Sequence, residues 1–228
     1  MKDITLIIPA KEEPNALPMV LDEIKKKNFS FKILIIIHSS DTKTYESIKN
    51  YDCEVLYQTK RGYGNAIIEG INHSKTKYSC IFYADGSTDP VYIAHMLEKL
   101  EAQNLDIIFG SRYEKNAHSF DDDFITRIGN YVFTFLGNFL MKFNISDLLF
   151  TYIFAKTKCF KDMELISDDY CLCVEIPYKA KLSGHKYSTI PCVERKRFAD
   201  KKKVKAFTDG FNILKYLIFK YLDFINSK

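Results

Sequence analysis

The chain has 228 residues, 46% hydrophobic and 27% charged, an ordinary globular balance that leaves no room for a disordered or fibrous chain. Its net charge of +4 is mild, and no apolar run reaches the ~18–20 residues that cross a bilayer. Cys53, Cys80, Cys159, Cys171, Cys173 and Cys192 show no CxxC spacing and no histidine placed to complete a zinc site, so they read as reduced core thiols. Met1-Lys2-Asp3 leads straight into an apolar run with no secretory signal, so the expected location is cytoplasmic, with any membrane contact peripheral.

The first half alternates two kinds of segment. Near-continuous apolar runs at Ile4–Ile8, Ile33–Ile37, Glu54–Tyr57, Ser79–Tyr83 and Asp106–Phe109 predict strands, several buried on both faces. Between them, Leu17–Lys27, Thr44–Asn50, Tyr63–His73 and Val91–Ala102 carry helical periodicity, with Pro14 and Pro90 at helix starts. This alternation predicts an α/β fold with a mostly parallel, doubly wound sheet. In the second half, Ile125–Phe143 reads as a long amphipathic helix, Leu148–Ala155 as a strand, Val174–Leu182 as a helix ending at Gly184, and Lys186–Val193 as a strand. A basic cluster follows at Arg195, Lys196, Arg197, Lys201, Lys202, Lys203 and Lys205. Phe207–Phe224 closes the chain as an amphipathic helix with Phe211, Leu214, Leu217, Ile218, Tyr221 and Leu222 on one broad face. No repeat or linker divides the chain. It reads as one domain over 1–228, with a first half at 1–113 and a second half at 114–228.

In such sheets ligands bind beyond the carboxyl ends of the strands. Four polar clusters fall there: Pro9 to Glu13, His38 to Asp41, Ala84 to Asp89, and Gly110 to Tyr113. Asp85, after a buried strand and before Gly86 and Ser87, suits a hard divalent cation shared with substrate phosphates; an Asp-Gly turn capping the next helix is the competing reading. Arg112 suits a phosphate or a salt bridge. Arg61, Gly62 and Gly64 open a helix whose N-terminus favours anions, although two glycines alone are weak evidence. The basic cluster suits an anion or is a solvated loop.

The ordered motifs Ile-Ile-Pro-Ala-Lys-Glu-Glu, Arg-Gly-Tyr-Gly-Asn-Ala, Tyr-Ala-Asp-Gly-Ser-Thr-Asp-Pro and Phe-Gly-Ser-Arg-Tyr resemble the inverting family-2 glycosyltransferases, in particular the dolichol- or polyprenyl-phosphate sugar synthase branch. Asp147-Leu148-Leu149, Glu175, Gly184-His185-Lys186, Ile190-Pro191 and the stretch from Arg197 to Asp209-Gly210 keep that branch's order, so the resemblance covers nearly the whole chain. It implies a GT-A fold and transfer of a sugar, with inversion, from a nucleotide-sugar to an acceptor. That acceptor would be polyprenyl phosphate or another membrane-associated precursor of the kind used for cell-envelope polysaccharide. It also implies roles. Pro9, Glu13, Asp41, Arg61 and Gly62 would bind the donor. Asp85 and Ser87 would hold Mg²⁺ or Mn²⁺. Arg112 and Arg127 would meet the acceptor side, and Arg197 and Lys203 would close over the donor diphosphate.

The chain departs from that pattern in four places. His38-Ser39-Ser40-Asp41-Thr42-Lys43 stands where the family has Asp-Asp-Gly-Ser-Thr-Asp. Tyr83 replaces the first Asp of Asp-x-Asp, Asp200 and Lys202 replace the late loop's Gly and Ser, and Phe150-Thr151 replaces Ser/Thr-Gly. A phosphate acceptor needs no general base, so catalysis would rest on alignment and on stabilising the leaving diphosphate. A hydroxyl acceptor would need a carboxylate, with Asp121, Asp122, Asp123, Asp168 and Asp169 as candidates. The helix faces around Tyr131–Phe143 and Phe207–Phe224 suit either packing on the sheet or lying on a membrane surface. The rival readings are a sugar-phosphate nucleotidylyltransferase, whose Gly-rich first loop is missing, and a non-catalytic module derived from a glycosyltransferase. A nucleic-acid binder is not expected, for want of a motif or an aromatic strand platform.

Overall fold

A computed structural model describes residues 3–201 and 203–226; Lys202, one of the basic cluster, lies outside them. The elements run β1 (Ile4–Pro9), α1 (Ala16–Lys26), β2 (Lys32–Ile37), α2 (Thr42–Ile48), β3 (Glu54–Tyr57), α3 (Tyr63–His73), β4 (Tyr78–Ile81), α4 (Val91–Ala102) and β5 (Ile107–Ser111). Then come β6 (His118–Ser119), α5 (Phe124–Met141), β7 (Ile153–Lys156), α6 (Thr157–Asp162), α7 (Leu172–Leu182), β8 (Tyr187–Pro191), β9 (Val193–Glu194) and α8 (Ala206–Asn226). Seven strands form one sheet in the order β3-β2-β1-β4-β7-β5-β8. All its neighbours pair in parallel except β7, which runs antiparallel between β4 and β5. The expected mostly parallel α/β sheet is therefore present.

Period-two alternation divides the strand side chains between two cores. Ile7, Leu34, Ile36, Ile81, Ile107 and Phe109 face the layer of α3, α5, α6 and α7, whereas Leu6, Ile8, Ile35, Ile37, Cys80 and Ile108 face α1, α2 and α4. Burial on both faces is why these strands are apolar throughout. The cysteines are all free, and five of the six are buried, as expected of core thiols.

Three expectations need correction. The predicted strand Leu148–Ala155 shrinks to Ile153–Lys156, because residues 148–152 turn inward and bury Leu148, Phe150 and Tyr152, although the Tyr152 carbonyl still accepts from Gly110 N of β5 at 2.9 Å. The fourth strand ends at Ile81, after which Phe82 stays in the core and Tyr83 lines the cleft. The closing helix does not pack on the sheet. It packs on α5 and α7, burying Ile213 and Leu217 but leaving Phe211, Ile218 and Leu222 of its apolar face exposed.

Candidate functional site

The carboxyl ends of β1, β2 and β4, the 194–205 segment and the first turns of α5 and α8 enclose a cleft of about 1030 Å³. Of the residues predicted for the site, Pro9, Glu13, Asp41, Arg61, Gly62, Asp85, Ser87, Arg112, Arg197 and Lys203 all line it. Arg127 does not. Its Nη2 donates to the carbonyl of Ser119 at 3.3 Å, because its position in the first turn of α5 turns it toward the β6 segment. Asp41 caps α2 through Thr44 N and also accepts from Glu12 N at 2.6 Å, tying the β1 and β2 edges together.

Asp85 sits in the turn after β4. Gly86 in that turn has φ +82°, and a Cβ built there would meet the Phe198 ring at 2.3 Å, so only glycine admits the late segment this closely. Phe198 N donates to Asp85 O at 2.7 Å and Arg195 N to Ser87 O at 2.8 Å. Arg195 forks onto Glu23 of α1, and Asp200 accepts from the amides of Asn15 and Ala16. The residue that breaks the family pattern at 200 thus satisfies open donors at the start of α1. So strapped, the segment delivers Arg197 Nη2 to Asp85 Oδ2 at 3.0 Å and Lys203 Nζ to Glu13 Oε1 at 3.2 Å.

Glu13 is nearly buried. Burial pushes its carboxyl from an ordinary 4.5 up to about 7, against the pull of Lys203. The folded state then binds more protons than the unfolded one between these values, so stability falls as pH rises from about 4.5 through about 7. Glu13→Gln is expected to remove up to about 3 kcal/mol of that loss. Urea unfolding at pH 5 and pH 8 checks it: wild type should lose more stability than Glu13→Gln between the two.

Arg112 is committed within the protein. It is 7% exposed and forks onto Asp147 through Nε at 2.7 Å and Nη2 at 3.0 Å, with Nη1 near Glu194 at 3.3 Å and Asp122 at 3.5 Å. Burial opposes its charge, yet Asp147 and then Glu194 outweigh burial and hold it firmly protonated. One guanidinium thereby organises three buried carboxylates beside the cleft.

The departures at Tyr83 and Phe150-Thr151 are partners. Tyr83 Oη lies 3.0 Å from Thr151 Oγ1 and accepts from Thr151 N at 3.0 Å, and its ring meets Phe150 edge-on. Tyr63 Oη closes the group at 2.6 Å from the same Thr151 Oγ1. The missing aspartate is thus replaced by a satisfied, packed wall. The start of α3 is used differently from the anion site its glycines suggested. Asn65 N donates to Asp168 O, and a Cβ at Gly62 or Gly64 would lie 2.1 Å from a carbonyl of the 167–168 stretch, so the glycines serve close backbone packing. Tyr170 stacks on Tyr63 at 4.8 Å and lines the cleft with Cys173 and Glu194. No sequence signal marked these three, since they come from elements that meet the site only in the fold. At the opposite edge Asp106, Cys159 and His185 gather with potential ligand atoms within 4.8 Å, a grouping the linear spacing did not show, although Lys156 already pairs with Asp106 at 2.8 Å.

Residues 5–163 match the family described as Glycosyl transferase family 2. The chain belongs to glycosyl transferase family 2. This family-2 chain is 29% identical over 188 residues to a dolichyl-phosphate beta-glucosyltransferase of Dictyostelium discoideum, covering 74% of itself but about half, 52%, of that relative. It is 22% identical over 216 residues to a dolichyl-phosphate hexose transferase of Haloferax volcanii, covering 95% of itself and 92% of the relative. Glucosyl-3-phosphoglycerate synthase from Mycobacterium tuberculosis, solved with Mn²⁺, UDP-glucose and phosphoglyceric acid, superposes with a TM-score of 0.76 at 11% identity, over 96% of this chain and 79% of that one. That likeness establishes the GT-A fold.

Proposed function

We propose that this glycosyltransferase moves a hexose from a nucleotide-sugar to the phosphate of a polyprenyl lipid, with inversion, at the cytoplasmic face of a membrane. The observation that carries the reading is the seating of Arg197 and Lys203, by a strapped segment, beside Asp85 and Glu13 in a cleft large enough for a nucleotide-sugar. The dolichyl-phosphate transferases among the relatives support the acceptor class.

In this reading a phosphate oxygen of the acceptor attacks the anomeric carbon as its bond to the donor diphosphate breaks, and no protein base is needed. Arg197 and Lys203 align the leaving diphosphate and offset its charge. The donor set fits Mg²⁺ or Mn²⁺: Asp85 offers a carboxylate in the cleft, and Ser87 Oγ is buried there without a hydrogen-bond partner. Those two residues with the donor phosphates would hold the ion, which supplies further charge neutralisation at the leaving group. Arg112 is a positioning residue that fixes Asp122, Asp147 and Glu194. The test is transfer of labelled sugar from UDP-, GDP-, CMP- and dTDP-sugars to polyprenyl phosphate, with and without Mn²⁺. A lipid-linked product of inverted configuration is expected from one donor class. Failure of all of them, with donor binding retained, would favour a non-catalytic module.

Two neighbouring helices support the membrane contact. Among the described residues no helix is long and apolar enough to cross a bilayer. Yet α5 exposes Phe135 at 66% and Phe139 at 70%, and α8, packed beside it, exposes Phe207 at 85% and Phe211 at 63%. Both helices also line the cleft, through Thr126 and Asn130 and through Thr208 and Asp209, so an acceptor held in a lipid surface would approach beside them. Aromatic side chains with the nearby exposed Lys205 and Lys215 suit an anionic interface. Phe135→Ser with Phe139→Ser and Phe211→Ser is expected to weaken co-sedimentation with vesicles containing anionic phospholipid by about tenfold or more, at roughly 1 kcal/mol or more per ring.

A further inference from the structure

We infer that Asp85 is a seat for either of two cations, taken by Arg197 in the free protein and by a divalent ion once a donor diphosphate draws Arg197 away. Arg197 thereby gates metal binding. This rests on the donor-site reading above but concerns a step before any transfer.

Both oxygens of Asp85 are in use. Oδ1 accepts from Ser87 N at 2.9 Å, and Oδ2 faces Arg197 Nη2 at 3.0 Å. A divalent ion binds a carboxylate oxygen at about 2.0–2.2 Å and cannot share Oδ2 with a guanidinium that close without two like charges in contact. The two cations therefore compete. The exchange requires only side-chain motion, because the backbone around Arg197 is held independently. Arg195 is tied to Ser87 O and Glu23, Phe198 N to Asp85 O, and Asp200 to the start of α1. Arg197 Nε also lies 3.8 Å from Asp121, a second carboxylate beside which the guanidinium stays when it leaves Asp85. The second half of the seat is ready, since Ser87 Oγ, two residues on from Asp85, is buried and unpartnered. A diphosphate offers Arg197 a better fork than one carboxylate oxygen does, so donor binding and metal binding become coupled.

Mn²⁺ binding to the full chain, measured by loss of the free-ion electron paramagnetic resonance signal without nucleotide, tests this. Arg197→Gln is expected to bind Mn²⁺ about tenfold or more tightly than wild type, as loss of a competing, partly buried ion pair requires. Arg197→Lys, which keeps the charge, should remain close to wild type. Asp85→Ala placed on Arg197→Gln should abolish the gain, and thermal melts in chelator establish that each variant is folded. Equal Mn²⁺ affinity in wild type and Arg197→Gln, or a gain that survives loss of Asp85, would overturn the inference. A gain in Arg197→Gln in a protein that binds no nucleotide-sugar would uphold the seat while removing the transferase reading.

Discussion

Asp85→Ala is expected to lower turnover by about 10²–10³-fold, the usual effect of removing one preorganised electrostatic element at a leaving group. The side chain does two jobs. It receives Arg197 at 3.0 Å, and in the proposed mechanism it would hold a divalent ion together with Ser87. The loss should appear in kcat more than in KM, since the carboxylate acts on charge that develops as the diphosphate leaves. Asp85→Asn should fall nearly as far, because the amide keeps the shape and loses the charge. Steady-state kinetics with the active donor, across a Mn²⁺ titration, checks both. Wild-type kcat in either variant would remove Asp85 from the mechanism. The fold should tolerate the change, because the backbone of Asp85 keeps its bond from Phe198 N.

The largest stability effect is expected at the Arg112 cluster. Asp147→Ala should cost about 3 kcal/mol, and Arg112→Met more, about 3–5 kcal/mol. The asymmetry comes from counting charges. Without Asp147, Arg112 still meets Glu194 and Asp122. Without Arg112, three carboxylates with side chains no more than 7% exposed lose the guanidinium they share. Arg112→Met should recover part of its loss as pH falls and Glu194, whose carboxyl burial already pushes up, takes up a proton, whereas Asp147→Ala should not. Urea unfolding midpoints at pH 5 and pH 7.5 measure both. A smaller loss for Arg112→Met than for Asp147→Ala would show that the cluster is not held as the geometry indicates.

Much of the frame was legible in advance. The runs at Ile4–Ile8 and Ile33–Ile37 are apolar at every position because both faces of the sheet are covered, and such runs announce buried parallel strands. The clusters after β1, β2 and β4 had to lie on one edge once the strands were parallel, so Pro9, Glu13, Asp41 and Asp85 converge as expected. Arg127, placed on the acceptor side by the family resemblance, does not line the cleft. Helical spacing puts it in the first turn of α5 without saying which way that turn faces, and it faces Ser119.

What the sequence by itself determined is the alternation of elements, the parallel sheet and the carboxyl-edge location of the polar motifs, because these follow from local periodicity and chain direction. Only the tertiary structure decided the partners. It paired Tyr83 with Thr151, 68 residues apart. It set Arg112 among Asp122, Asp147 and Glu194, laid Asp200 on the start of α1, and left the aromatic faces of α5 and α8 uncovered. Pairings across such distances depend on how layers stack and where a strap crosses the sheet edge, and one-dimensional spacing carries neither.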